Sequence, residues 1–267
     1  MQRNPVMPGS AHAARKRFGQ HFLHDRHFIA RIIEAINPQR GDRLVEIGPG
    51  LGALTQPLLA HLGYLDVVEI DRDIVAHLHA DYSPDSLTVH EGDALRFDFA
   101  ALGDNLRIVG NLPYNISTPL LFHLSEATHH IRDMTFMLQK EVVDRMVAAP
   151  GGKDYGKLSV MLQVKFAMQR LFIVPPGAFR PPPQVDSAIV RLQPLGSAAP
   201  AIADSKIFAE LVSAGFNQRR KMLRQSLKAQ LGAQAFAELG VNPEARAEQL
   251  RVEDFVRCAN FLAAERR

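Results

Sequence analysis

Through the first two thirds of the chain, short runs of consecutive apolar residues alternate with stretches in which apolar residues recur every three or four positions. The runs are too short for buried helices and carry many β-branched residues, so they read as buried strands, and the stretches between them read as amphipathic helices. Arg43–Ile47 (RLVEI) is the first strand of this series, followed by a glycine turn and a helix over 51–62. The strand 65–70 (LDVVEI) leads to a helix over 72–80, and strands over 87–90, 106–109 and 134–138 continue the series. Helices over 117–125 and Lys140–Val147 complete it. Strand–helix repetition with short turns predicts a mainly parallel, doubly wound sheet covered by helices on both faces, a Rossmann-like α/β fold. Residues 149–156 (APGGKDYG) read as a mobile loop, and a proline-rich stretch leads to a last strand over 188–192, with the final strands pairing antiparallel.

Beyond residue 195 the strand-like runs stop. The pattern predicts helices over 206–216, 219–231, Ala233–Leu239 and 252–264, with Asn242-Pro243 marking a turn. Two domains follow from this change: residues 1–195, α/β, and residues 203–267, a small all-α unit.

Composition narrows the class. A chain of 267 residues with 46% hydrophobic and 22% charged positions buries a core without staples. Its single cysteine, Cys258, excludes an intramolecular disulfide and any multi-cysteine metal site. His129-His130 and the His77/His79 pair have no sequence neighbours that suggest a metal site, and Ser187 lies outside any G-x-S-x-G elbow, so no metal is expected. Without an apolar stretch of 18 residues or a secretory leader, the expectation is a cytoplasmic protein with no membrane association. The formal charge of +3 is unevenly spread: residues 1–43 and 205–228 each carry +5, which leaves −7 on the rest. Two basic segments on an acidic body predict a polyanionic partner met at particular places.

The chemistry sits at the strand ends. Glu46-Ile47-Gly48-Pro49-Gly50-Leu51-Gly52 is a glycine turn between strand and helix, where a cofactor can approach the backbone and free N–H groups await it. Glu69 closes the second strand, 21 residues after Gly48, placed to accept hydrogen bonds from a ribose hydroxyl pair. These features alone suit NAD and S-adenosylmethionine equally. Asp93, after the third strand, can accept the exocyclic amine of an adenine. After the fourth strand comes Asn111-Leu112-Pro113-Tyr114. A base's exocyclic amine is a poor nucleophile because its lone pair is delocalised into the ring. Acceptors on both amino hydrogens favour the pyramidal form, and the Asn111 side-chain oxygen and Leu112 carbonyl can supply them. Pro113 fixes the turn and Tyr114 offers a ring on which an extruded base stacks. This points to S-adenosylmethionine and in-line methyl transfer to an amine.

With these motifs in order, the chain resembles the ribosomal RNA adenine N6-dimethyltransferase family, and most closely its bacterial small-subunit branch, whose loss gives kasugamycin resistance. The similarity runs from ARKRFGQHFL at Ala14 through VEIGPGLGALT, VEIDRD, EGDA, GNLPYNISTPLLFHL, MLQKEVVDRM, YGKLSV and AFRPPPQVDSA to FNQRRKMLRQSL. The resemblance implies that the segment around Gln20–Leu23 folds over the cofactor, with contacts from His21 and Leu23. It implies that Gly48 and Gly50 lie beneath the cofactor, Glu69 holds its ribose and Asp93 its adenine, and Asn111 lies near the methyl donor. It implies that Phe179 sandwiches the target adenine opposite Tyr114. Position 21 is His here and Asn in many relatives.

The implied activity is dimethylation of two adjacent adenines in the 3′-terminal hairpin loop of 16S ribosomal RNA, within an immature small subunit, by a monomeric enzyme. Loop bases are partly unstacked, which lowers the cost of extruding them. On a continuous helix, Lys221, Arg224 and Lys228 fall on one side and Met222, Leu223 and Leu227 on the other. Arg219, Arg220, Lys221 and Arg224 are accordingly expected to face RNA phosphates. The rival enzyme is the large-subunit methyltransferase of the macrolide-resistance type, which FNQRRKMLRQSL resembles less. The non-enzymatic rival is a small-subunit assembly checkpoint.

Overall fold

A computed structural model describes residues 21–266. After a two-residue strand β1 (Phe22–Leu23) and helix α1 (Arg26–Ile36), the alternating part of the chain runs β2 (Arg43–Ile47), α2 (Thr55–Leu62), β3 (Leu65–Glu69), α3 (Arg72–Asp81), β4 (Leu87–Glu91), β5 (Leu106–Asn111), α4 (Ser117–Leu124), β6 (Ile131–Gln139) and α5 (Lys140–Val147). There follow α6 (Lys157–Gln163), β7 (Phe166–Val174), β8 (Phe179–Arg180) and β9 (Ser187–Pro194). The helical remainder is α7 (Ser205–Asn217), α8 (Leu223–Ser226), α9 (Ala233–Leu239) and α10 (Val252–Glu265).

Among the described residues the main sheet has seven strands in the order β4-β3-β2-β5-β6-β9-β7. The first five are parallel, and β9 pairs antiparallel with both β6 and β7, as the pattern predicts for the final strands. Alternation along each strand splits its side chains between two cores. Ile108, Phe136, Leu138 and Val190 face α4 and α5, whereas Leu44, Val67, Val109 and Ile189 face α1, α2 and α3. Both faces are therefore buried, which is why the parallel strands carry apolar residues on both sides.

At the N-terminal edge of the sheet one buried arginine ties the layers together. Arg107 on β5 reaches Asp133 at 3.1 Å and Asp42 at 2.6 Å, and donates to the Ile36 carbonyl at 2.6 Å, so the end of α1 is pinned to the sheet. Two acidic partners and a carbonyl offset the desolvation of one guanidinium.

Two expectations change. The helix after the glycine turn begins at Thr55, not at 51, because Gly50 (φ 55°) and Gly52 (φ 81°) are left-handed and cannot continue a right-handed helix. Residues 219–231 are not one helix. Only Leu223–Ser226 is α-helical, since the Leu223 and Arg224 amides donate to the carbonyls of Ala245 and Pro243, 2.8 and 3.0 Å away. Leu223 and Leu227 are buried as expected, but Met222 is exposed, so the two-faced helix reduces to one buried turn. Tyr155, Val160 and Val164 pack into the same cluster as Phe208, Phe236 and Phe255, so α6 completes the helical core. The helix α1, the helix α6 and the edge strand β7 are elements the pattern did not announce. No helix among the described residues is long and apolar enough to cross a membrane.

Candidate active site

Parallel strands deliver their C-terminal ends to one edge of the sheet, and a cavity of about 330 Å³ opens there. Its walls are residues 21–23, the glycine turn, Val68–Ile70, the loop after β4, and the turn from Asn111 to Ile116. His21, Leu23, Gly48, Gly50, Glu69, Asp93, Asn111, Leu112, Pro113 and Tyr114 are thus brought to one pocket.

Gly50 has φ 55°, and a Cβ there would sit 3.4 Å from the Phe22 ring, so backbone and ring close over one wall. Gly110 has a different task. A Cβ on it would lie 2.5 Å from the Ile47 carbonyl oxygen, so only glycine lets β5 approach β2 closely enough to present Asn111.

Glu69 is buried, and its Oε1 accepts the amides of Ile70 and Asp71 at 2.8 and 2.9 Å. Burial raises its pKa while those amides and that of Gly50 oppose the rise. The carboxylate still has acceptor capacity facing the pocket. Asp93 Oδ1 accepts the Leu95 amide at 2.9 Å, which shapes the loop and orients the carboxylate at the pocket wall.

The turn after β5 is equally determined. Asn111 Nδ2 donates to the His21 carbonyl at 3.1 Å, so Oδ1 is the end that remains to accept. Leu112 buries its side chain under the sheet and donates its amide to the Met137 carbonyl at 3.2 Å. The Tyr114 hydroxyl shares a 2.9 Å hydrogen bond with Ser187 Oγ, and burial pushes its phenol up. The His21 ring lies 5.8 Å from the Tyr114 ring at 31°, and its Nδ1 donates to the Pro181 carbonyl at 2.8 Å.

Phe179 is not brought to this pocket. It is 2% exposed, sits opposite Leu23 in the β1–β8 ribbon, and packs in the α1–α3 core. The four basic residues lie elsewhere too. Arg219 donates to Glu248 at 2.9 Å and to the Lys153 carbonyl, Arg224 lies 3.7 Å from Glu244, and Arg220 and Lys221 are exposed.

Sequence reasoning missed Glu46. It is 2% exposed, lines the pocket, and accepts from Thr55 Oγ1 at 2.6 Å. Burial pushes its carboxyl up to about 7, with Glu69 adding to the rise. The available signal was a carboxylate inside the otherwise apolar strand RLVEI. It also missed Ser187, whose place opposite Tyr114 depends on the β6–β9 pairing.

Residues 11–264 match the family model for the ribosomal RNA adenine dimethylases. The chain belongs to that family. Within it, the ribosomal RNA small subunit methyltransferase A of Aromatoleum aromaticum is 60% identical over 256 residues, 96% of this chain and 97% of that protein. The protein of the same name from Chromobacterium violaceum is 56% identical over 254 residues, 95% of this chain and 97% of that one. Among solved structures, a dimethyladenosine transferase from Plasmodium falciparum superposes with a TM-score of 0.76 at 26% identity, covering 89% of this chain and 96% of that one. The 23S rRNA methyltransferase ErmE does so with a TM-score of 0.69 at 27% identity, covering 90% and 99%. This dimethylase therefore has the mainly parallel α/β sheet of both neighbours, and the pocket lies at the sheet's ligand-binding edge.

Proposed function

We propose that the protein uses S-adenosylmethionine to dimethylate N6 of two adjacent adenines in the 3′-terminal hairpin loop of small-subunit ribosomal RNA. It acts in the cytoplasm as a monomer, on an immature small subunit. The observation that carries the reading is Asn111. Its amide nitrogen is held by the His21 carbonyl, and its oxygen is left as an acceptor beside Tyr114, on the same sheet edge as Glu69 and Asp93.

The residues fit the cofactor. Glu69 would accept from the ribose hydroxyls, Asp93 would accept the adenine amine, and the glycine turn would lie against the nucleoside. Bound S-adenosylmethionine supplies a sulfonium methyl as electrophile. Asn111 Oδ1 and the Leu112 carbonyl take the two amino hydrogens of the target base, which localises the nitrogen lone pair. Tyr114, steadied by Ser187 and Pro113, would support the ring of the base so that its nitrogen faces the bound methyl donor. As the N–C bond forms and the C–S bond breaks, one amine proton is released to water. The monomethylated base has a single amine hydrogen, so in the second transfer only one of the two acceptors is engaged, and that last proton leaves to water. Phe179 reaches the base's other face only if the β1–β8 ribbon turns its ring outward. Arg220 and Lys221, with Arg219 and Arg224 behind them, meet RNA phosphates from residues 203–267.

The test is to incubate the protein with methyl-labelled S-adenosylmethionine and small subunits lacking the hairpin methylations, then digest the RNA to nucleosides. Labelled N6,N6-dimethyladenosine from the small-subunit hairpin is expected. Label confined to naked large-subunit RNA would assign the protein to the macrolide-resistance type instead.

A further inference from the structure

One histidine outside the pocket joins its two ends. The loop between β4 and β5 carries Asp93, and its first residue is fixed by the Gly92 amide donating to the Glu69 carbonyl at 2.8 Å. Within the loop, the Leu95 amide donates to Asp93 Oδ1 and the Arg96 amide to the Asp93 carbonyl, both at 2.9 Å. The far side of the loop rests on Phe97. Its ring lies 5.2 Å from that of His90 and 5.0 Å from that of Phe99, and its carbonyl accepts from His123 Nε2 at 2.8 Å. His90 is itself fixed by Asp66, 2.8 Å away, and the Phe99 ring packs 5.9 Å from His123.

His123 belongs to α4, which starts directly after the base-binding turn. Ser117, the first residue of that helix, donates from Oγ to the Tyr114 carbonyl at 3.0 Å. Leu120, Leu121 and Leu124 are fully buried, so the helix does not slide. The rise from Ser117 to His123 along this helix is about 9 Å, a rigid span. The helix therefore touches the turn that presents the target base at one end and the loop that presents Asp93 at the other.

We propose that His123 is a positioning residue: from the helix that anchors Tyr114 it holds the Asp93 loop through the Phe97 carbonyl, so that one strut sets both the cofactor end and the base end of the pocket. The proposal rests on the cofactor reading above and adds a residue that touches neither cofactor nor base. A misplacement of Asp93 by a fraction of an ångström weakens its hydrogen bond to a ligand steeply.

The test compares His123→Leu, which loses the donor, with His123→Gln, whose amide nitrogen can reach the same carbonyl. Binding of S-adenosylhomocysteine by calorimetry is expected to weaken at least fivefold in His123→Leu and to stay within twofold of the native protein in His123→Gln. In steady-state methylation the loss falls on KM for S-adenosylmethionine, with kcat within threefold. Hydrogen exchange of the Leu95 and Arg96 amides in the ligand-free protein is expected to speed up in His123→Leu only. Unchanged exchange there overturns the strut, whatever the pocket binds. Faster exchange with unchanged ligand affinity overturns the positioning role. A native protein that binds no S-adenosylhomocysteine overturns the cofactor reading instead. Should His123→Leu fail to fold, His123→Asn, polar but too short to reach Phe97, carries the same expectations.

Discussion

Replacing Glu46 by Gln isolates the electrostatic cost of building the pocket wall. The Glu46 carboxyl is 2% exposed and accepts a 2.6 Å hydrogen bond from Thr55, and burial moves its pKa from the ordinary 4.5 to about 7. Each pKa step of one corresponds to about 1.4 kcal/mol between the protonation states. Holding this carboxylate ionised in the folded protein therefore costs up to about 3 kcal/mol. The sign follows from linkage. Below pH 4.5 the group is neutral folded and unfolded, so it imposes no penalty. As pH rises from 4.5 through 7 the unfolded chain loses the proton first, and folding stability falls by that amount. Glutamine keeps an oxygen for Thr55 and never ionises. Urea unfolding of the ligand-free proteins at pH 5 and pH 8.5 reads the effect. Glu46→Gln is expected to exceed the native protein by about 0.8 kcal/mol at pH 5 and by about 3 kcal/mol at pH 8.5. An equal difference at both pH values would refute the assignment of a raised pKa to this residue.

Gly110→Ala is expected to destabilise the protein by about 1–3 kcal/mol in the same unfolding assay, because the new methyl would lie 2.5 Å from the Ile47 carbonyl oxygen. Replacing Arg219, Arg220 and Lys221 together with alanine should weaken small-subunit binding and flatten its dependence on salt. Filter binding over a salt series reads this, with the slope falling by about 0.7 for each phosphate that is no longer neutralised. Arg219→Ala alone, whose guanidinium is engaged by Glu248 and the Lys153 carbonyl, should change that slope less than Lys221→Ala.

Much of the fold was readable because a parallel sheet buried on both faces concentrates apolar, β-branched residues in short strands, and β2, β3 and β5 keep that character although each carries a charged residue. The strand β7 does not. It lies on the sheet's edge, and the exposed Gln169 and Arg170 split it into two short apolar pieces, Phe166–Met168 and Leu171–Val174, the second running directly into prolines. The break in 219–231 was invisible for another reason. Lys221, Arg224 and Lys228 keep helical spacing, but tertiary hydrogen bonds to Pro243 and Ala245 decide the backbone. At the site, Gly48, Gly50, Glu69, Asp93 and Asn111 were legible from their place at strand ends. Phe179 was anticipated beside the base and is packed in the core instead, and local sequence carries no information on which way the β1–β8 ribbon turns a ring. Glu46 went unremarked because one carboxylate in a strand acquires meaning only when the pocket wall is seen to include it.

On the proposed mechanism, holding the cofactor and activating the amine are separate tasks, and Asn111 Oδ1 performs the second. Asn111→Ala separates them, measured by calorimetry with S-adenosylmethionine and by single-turnover methylation of unmethylated small subunits. The expected result is a cofactor Kd within about threefold of the native value and methyl transfer slower by about 10²–10³, the loss typical of one missing charge-stabilising group. Methyl transfer at the native rate from Asn111→Ala would contradict it.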